Sequence, residues 1–80
     1  MTVPRLSAEQ RRALEILADA GINGVTEATM LAHGFTRAML AVFVRKGLVR
    51  ARRETAMAGR RPIVVYRVRI TTAGRRVLES

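Results

Sequence analysis

Apolar residues recur at helical spacing from Ala13 to Ala20: Ala13, Leu14, Ile16, Leu17 and Ala20 fall on one side, with Arg11, Arg12, Glu15 and Asp19 on the other. Ser7, with Gln10 three residues later, makes a capping box, and Glu9 suits the positive end of the helix dipole. Gly21 stands where a helix-ending glycine belongs. The pattern predicts a first helix between Ser7 and Gly21, then a short connector over 22–25. Thr26 can cap a second, shorter helix ending near His33. Gly34 breaks it, and Phe35 is placed to plug the gap before the next element. Thr36 can cap a third helix running through Lys46, with Met39, Leu40, Phe43 and Val44 on its inner stripe, and Gly47 stops it. Two short helices about a glycine-centred turn make a helix-turn-helix candidate.

After Gly47 the period changes to two. Leu48–Arg53 and Ile63–Ile70 read as strands joined by the loop Glu54–Pro62, with Gly59 near its tip. In the second strand Val64, Tyr66, Val68 and Ile70 alternate with Val65, Arg67 and Arg69, giving one dry face and one basic face. With the tip centred between Met57 and Arg60, Arg50 falls opposite Arg67, and Arg52 opposite Val65. Arg50, Arg52, Arg67 and Arg69 then share the solvent face, while Val49 and Ala51 turn inward. Like charges across a hairpin cost stability unless something anionic lies over them. Thr71 can cap a last helix over Thr72–Glu79.

The chain has 80 residues, room for a single domain over 1–80, and 49% of them are apolar, enough for a core and too many for a disordered tail. It lacks cysteine, so disulfides, thiolate chemistry and sulfur-ligated metal are excluded. The single histidine is His33, and the two serines, Ser7 and Ser80, lie near the termini. Ser–His triads and histidine metal clusters lack parts. His33 suits packing or capping at the helix end. Glu9 and Glu15 stand six apart on one helix and do not converge. Gly21 to Gly24 follows a helix and lacks the lysine of a phosphate-cradling loop. No catalytic constellation emerges, so the expectation is a non-enzyme without metal, cofactor or small-molecule ligand. The longest apolar run, Ala38 to Val44, has seven residues, against the ~20 that span a bilayer. Residues 1–12 hold no secretory apolar region. No membrane association and a cytoplasmic location are expected.

Charge changes the picture most. The net charge is +9, and it is one-sided: residues 1–44 hold four bases and four acids, whereas residues 45–76 hold eleven bases and one acid, Glu54. Such asymmetry points to a polyanionic partner. Arginine in particular can grip a phosphate or a guanine edge in two places at once.

The order helix, helix, turn, helix, two-stranded hairpin resembles a winged helix-turn-helix domain from Leu6 to Leu78. Lys46-Gly47-Leu48-Val49 looks like the exit from a recognition helix into a wing. Ile70-Thr71-Thr72-Ala73-Gly74-Arg75 is similar to the segment after the wing in MarR-type and PadR-type transcriptional regulators. The resemblance implies an α+β fold of three helices, a two-stranded hairpin wing and a short C-terminal helix. It also implies that the third helix enters the major groove of double-stranded DNA while the wing meets the backbone or minor groove. Thr36, Arg37, Ala41, Arg45 and Lys46 would then face DNA from the third helix. Arg60 and Arg61 would sit at the wing tip, with Arg50, Arg52, Arg67 and Arg69 along its outer face.

Two function classes follow. One is a small transcriptional regulator, expected to act as a homodimer through the first-helix stripe or Val77-Leu78. The other is a winged-helix module for a protein or RNA partner, favoured by the apolar Ala38, Ala41 and Val42 on the third helix.

Overall fold

The computed structural model describes residues 6–79; Ser80 and the segment 1–5, with its Arg5, lie outside the described residues. Helix α1 (Ala8–Ala20) opens on the expected capping box. The Ser7 hydroxyl accepts from the Gln10 backbone N–H at 3.0 Å, and the Gln10 side chain accepts from the Ser7 N–H at 2.9 Å. Ala13, Leu14 and Leu17 are its fully buried face. A single 3₁₀ turn (Gly21–Asn23) then leads into a two-residue strand, β1 (Val25–Thr26). This strand was not expected: residues 22–25 read as a plain connector because two residues carry no periodicity.

Thr26 closes β1 and also caps α2 (Glu27–Ala32), its hydroxyl accepting from the Thr29 N–H at 3.2 Å. His33 is the C-cap of α2, and the backbone turns at Gly34. Phe35 is buried as expected, and the Arg12 guanidinium sits 5.0 Å from its ring centroid. Helix α3 (Arg37–Arg45) is capped by Thr36, which accepts from the Met39 N–H at 3.1 Å. Leu40 and Phe43 enter the core, with Met39 packed at its margin. Val44 does not follow them. It is 42% exposed, because the step of about 100° from the buried Phe43 turns it off the core-facing stripe.

Strands β2 (Val49–Ala58) and β3 (Arg61–Ile70) form a ten-pair antiparallel hairpin, and β1 adds to the far edge of β3, giving a three-stranded sheet of order β1-β3-β2. The hairpin differs from expectation in two ways. Its strands run through most of the predicted loop 54–62, leaving only Gly59–Arg60 as the turn, and its register is displaced by two residues. Arg50 pairs with Arg69 and Arg52 with Arg67. A positive φ of 63° at Gly59 alone gives the turn the II′ pattern, which matches the natural strand twist. Pro62 lies near the start of β3 on an edge that β1 does not reach, a place where a strand tolerates proline.

Only the root of the hairpin is dry. Val49 and Val68 join the core and Ile70 packs against it, but Ala51, Tyr66 and Val64 on the same face are exposed. Tyr66 and Val64 extend past the core, whereas Ala51, level with Val68, faces the open groove beside the end of α3. The molecule measures 51 × 22 × 21 Å.

Helix α4 (Thr72–Glu79) runs back along α1. Arg11 donates to the Leu78 carbonyl at 3.0 Å and Arg75 to that of Ala18 at 3.4 Å. Leu78 and Val77 pack against the core. The α1 stripe and Val77-Leu78, expected as dimer surfaces, are therefore largely covered within the chain. The described residues form an α+β arrangement of four α-helices and one antiparallel sheet.

Candidate nucleic-acid interface

Thr36, Arg37, Ala41, Arg45 and Lys46 are all exposed on α3 or its caps. Arg37, Ala41 and Arg45 follow each other at intervals of four, so they line one stripe of the helix. Thr36 already spends its hydroxyl on the Met39 N–H. Arg37 donates from Nε to Glu27 on α2 at 3.1 Å, yet its side chain is 76% exposed. The pair holds the first turn of α3 to α2 while leaving the guanidinium accessible to a ligand. Exposed pairs of this type contribute only ~0.2–1 kcal/mol, so a phosphate could displace Glu27 at small cost.

Arg50, Arg52, Arg67 and Arg69 share one face of the hairpin, as parity requires, because a two-residue change of register preserves the side to which each residue points. They are not equivalent. Arg50 and Arg52 are exposed, whereas Arg67 and Arg69 are half-buried at the root. Arg67 donates from Nε to Glu54 at 2.8 Å and from Nη1 to the Asn23 carbonyl at 3.1 Å. Arg69 donates to the Ile22 carbonyl at 3.2 Å. The like-charge crowding is thus eased by one carboxylate and two carbonyl oxygens at the end of the 3₁₀ turn. The hydrogen bond from Arg67 holds the Glu54 carboxyl below its usual range, helped by the positive charges of Arg67, Arg52 and Arg69 and opposed by desolvation.

The two groups of residues belong to opposite sides of the sheet. Helix α3 joins the core through Leu40 and Phe43, on the side of the sheet that Val49 and Val68 face. Arg50, Arg52, Arg67 and Arg69 occupy the opposite side. Along the core-side face the hairpin instead presents Arg53, Thr55 and Met57 on β2, with Tyr66, Val64 and Pro62 opposite them. Arg53 is exposed and is the hairpin arginine on the side of α3. It was missed as a site residue although its parity with Val49 and Ala51 marks its side. Arg60 and Arg61 are exposed at the tip, the first in the turn and the second paired with Ala58.

An open groove of about 820 Å³ runs between the 3₁₀ turn, the end of α3 and the start of α4, with Ile22, Val44, Arg50 and Arg69 among its walls. Among the described residues no three His, Cys, Asp or Glu side chains come together as a metal site, and no helix is long and apolar enough to cross a membrane. No protein-family model matches the chain, and no curated protein or solved structure does so either.

Proposed function

We propose that the chain is a winged helix-turn-helix module that binds double-stranded DNA and acts as a small transcriptional regulator. In this reading α2, the turn at Gly34 and α3 are the helix-turn-helix, and the β2–β3 hairpin is the wing. One observation carries it. The single acid of residues 45–76, Glu54, is engaged by Arg67, while Arg50, Arg52, Arg53, Arg60 and Arg61 all stand exposed along the wing. A protruding, under-neutralised arginine surface of this kind is suited to a phosphate backbone, where each contact releases counterions. Arg37 and Arg45 on the exposed stripe of α3 supply groups for a groove, and α3 is short enough that sequence readout needs more than one module. A single module buries only about 600–1,000 Å² on DNA, so a specific regulator of this size acts as a pair on a two-fold site.

The second reading, a docking module for protein or RNA, rests on Ala38 and Ala41, which are exposed on α3; Val42, expected beside them, is half-buried, and Val44 is exposed instead. Fluorescence anisotropy on random duplex, single-stranded DNA and RNA separates the two. The DNA reading expects duplex binding that weakens steeply with salt. Equal or stronger binding to RNA, or none to any nucleic acid, would favour the second.

A further inference from the structure

Four of the six large apolar side chains exposed among the described residues belong to the hairpin: Met57, Ile63, Val64 and Tyr66. Within the hairpin the exposure is greatest near the tip, where Met57 is 65% exposed; of the six only Ile22, on the 3₁₀ turn, is more exposed. Met57 lies directly opposite Pro62, itself exposed, one pair short of the turn-closing pair Ala58–Arg61. The two side chains emerge from the same face. Ala56, Ala58 and Gly59 around them add almost no bulk, and Ile63, opposite Ala56, is exposed on the other face, so the end of the hairpin is thin, apolar on both faces and flanked by Arg60 and Arg61. Beyond the Arg53–Tyr66 pair, five further pairs carry the tip away from the core, an extension of about 16 Å at roughly 3.3 Å per residue.

We propose that the Met57–Pro62 pair is a wedge that enters the minor groove and partly unstacks a base step, kinking the duplex that the arginines hold. The inference rests on the DNA-binding reading and names how the wing engages its target. Apolar side chains of this kind, Met and Pro among them, unstack base steps when a basic element delivers them to the minor groove. Proline brings a rigid apolar ring with no N–H to desolvate, and methionine a flexible thioether that fits an irregular gap. The occupant must satisfy both halves of the tip. A duplex does so, because phosphates flank an apolar stack of bases. A second copy of the chain does not: it would bring Arg53, Arg60 and Arg61 against their own counterparts, and the one nearby carboxylate, Glu54, is held by Arg67 on the opposite face.

The test is a bending assay: energy transfer between dyes at the two ends of a short duplex, with 2-aminopurine at internal steps to report unstacking, and anisotropy on the same fragments to report binding. The parent chain should shorten the end-to-end distance by an amount matching a kink of roughly 20–90° and raise 2-aminopurine emission. Met57→Ala combined with Pro62→Ala should still bind duplex but lose both signals, while Met57→Leu should keep them. Because all the altered side chains are exposed, the thermal midpoint should not move. A parent that binds duplex without bending it, or a double variant that bends it equally, overturns the wedge and leaves the DNA reading standing. A parent that binds no duplex overturns the DNA reading and the wedge together.

Discussion

Gly74 lies against the carbonyl oxygen of Leu48, with no room for a Cβ between them. The contact joins two stretches that stand far apart in the chain, Lys46–Val49 and Ile70–Arg75. Thr71 completes it: its N–H donates to the Leu48 carbonyl at 3.0 Å, and its hydroxyl donates to the Gly47 carbonyl at 2.6 Å while accepting from the Gly74 N–H at 3.1 Å. The two stretches are thus one interlocked joint at the root of the hairpin.

Gly74→Ala should destabilise the protein although Ala is the better helix former. Propensity favours Ala by ~1 kcal/mol, but overpacking a backbone contact costs typically ~1–3 kcal/mol. Denaturant unfolding should show a lower midpoint with an unchanged slope. A midpoint at or above that of the parent would mean that α4 does not press on Leu48.

Glu54 links stability to acid pH. Its carboxyl is held below the ordinary value of 4.5 by Arg67, so its contribution is complete above that value and is lost as pH falls through the lower folded value. Glu54→Gln should therefore lower the unfolding midpoint at neutral pH and leave it nearly unchanged at the acid end. An equal displacement at both pH values would refute the link.

The hairpin arginines should divide by position. Arg53→Gln, Arg60→Gln and Arg61→Gln should each flatten the slope of log affinity against log salt by about one unit, with stability unchanged. Arg69→Gln should instead cost about 0.5–1.5 kcal/mol of stability through its lost bond to the Ile22 carbonyl. Salt titrations beside urea melts read both quantities; a uniform effect across all four positions would contradict the division.

Arg37→Ala should cost ~1–3 kcal/mol on a sequence selected from a random duplex library and little on unselected DNA, if the residue reads a base. Glu27→Gln, which releases Arg37 from its ion pair, should tighten binding. Loss of affinity in the Glu27 variant would show that the pair positions Arg37 for DNA rather than restraining it.

The features legible in the chain were local ones. Ser7 with Gln10, Thr26 and Thr36 each satisfy backbone donors within three residues, and all three caps form as their spacing implies. Strand β1 was illegible because its only support is distant: Val25 finds Val68 across the sheet. The outer hairpin was hidden by Thr55–Ala58, whose side chains do not alternate, and by Pro62, which resembles loop. The face of each arginine survived the register error because the displacement was even. Which arginines stay open to a ligand was not legible, since it depends on the carbonyls of Ile22 and Asn23 lying within reach of β3.

The third strand has a mechanical consequence. Strand β1 braces β3 only at Arg67 and Val68, and the Arg67 and Arg69 side chains tie that same level to the 3₁₀ turn. Outward of it the hairpin is a two-stranded ribbon without lateral support. It is a cantilever: clamped at the root, compliant along its length, and loaded at the end that carries Arg60 and Arg61. The ribbon leaves the clamp next to Arg53 and Tyr66, so that pair is the lever's fulcrum. In the proposed DNA complex, any load at Arg60 and Arg61 would therefore be felt at that pair and not by the helices.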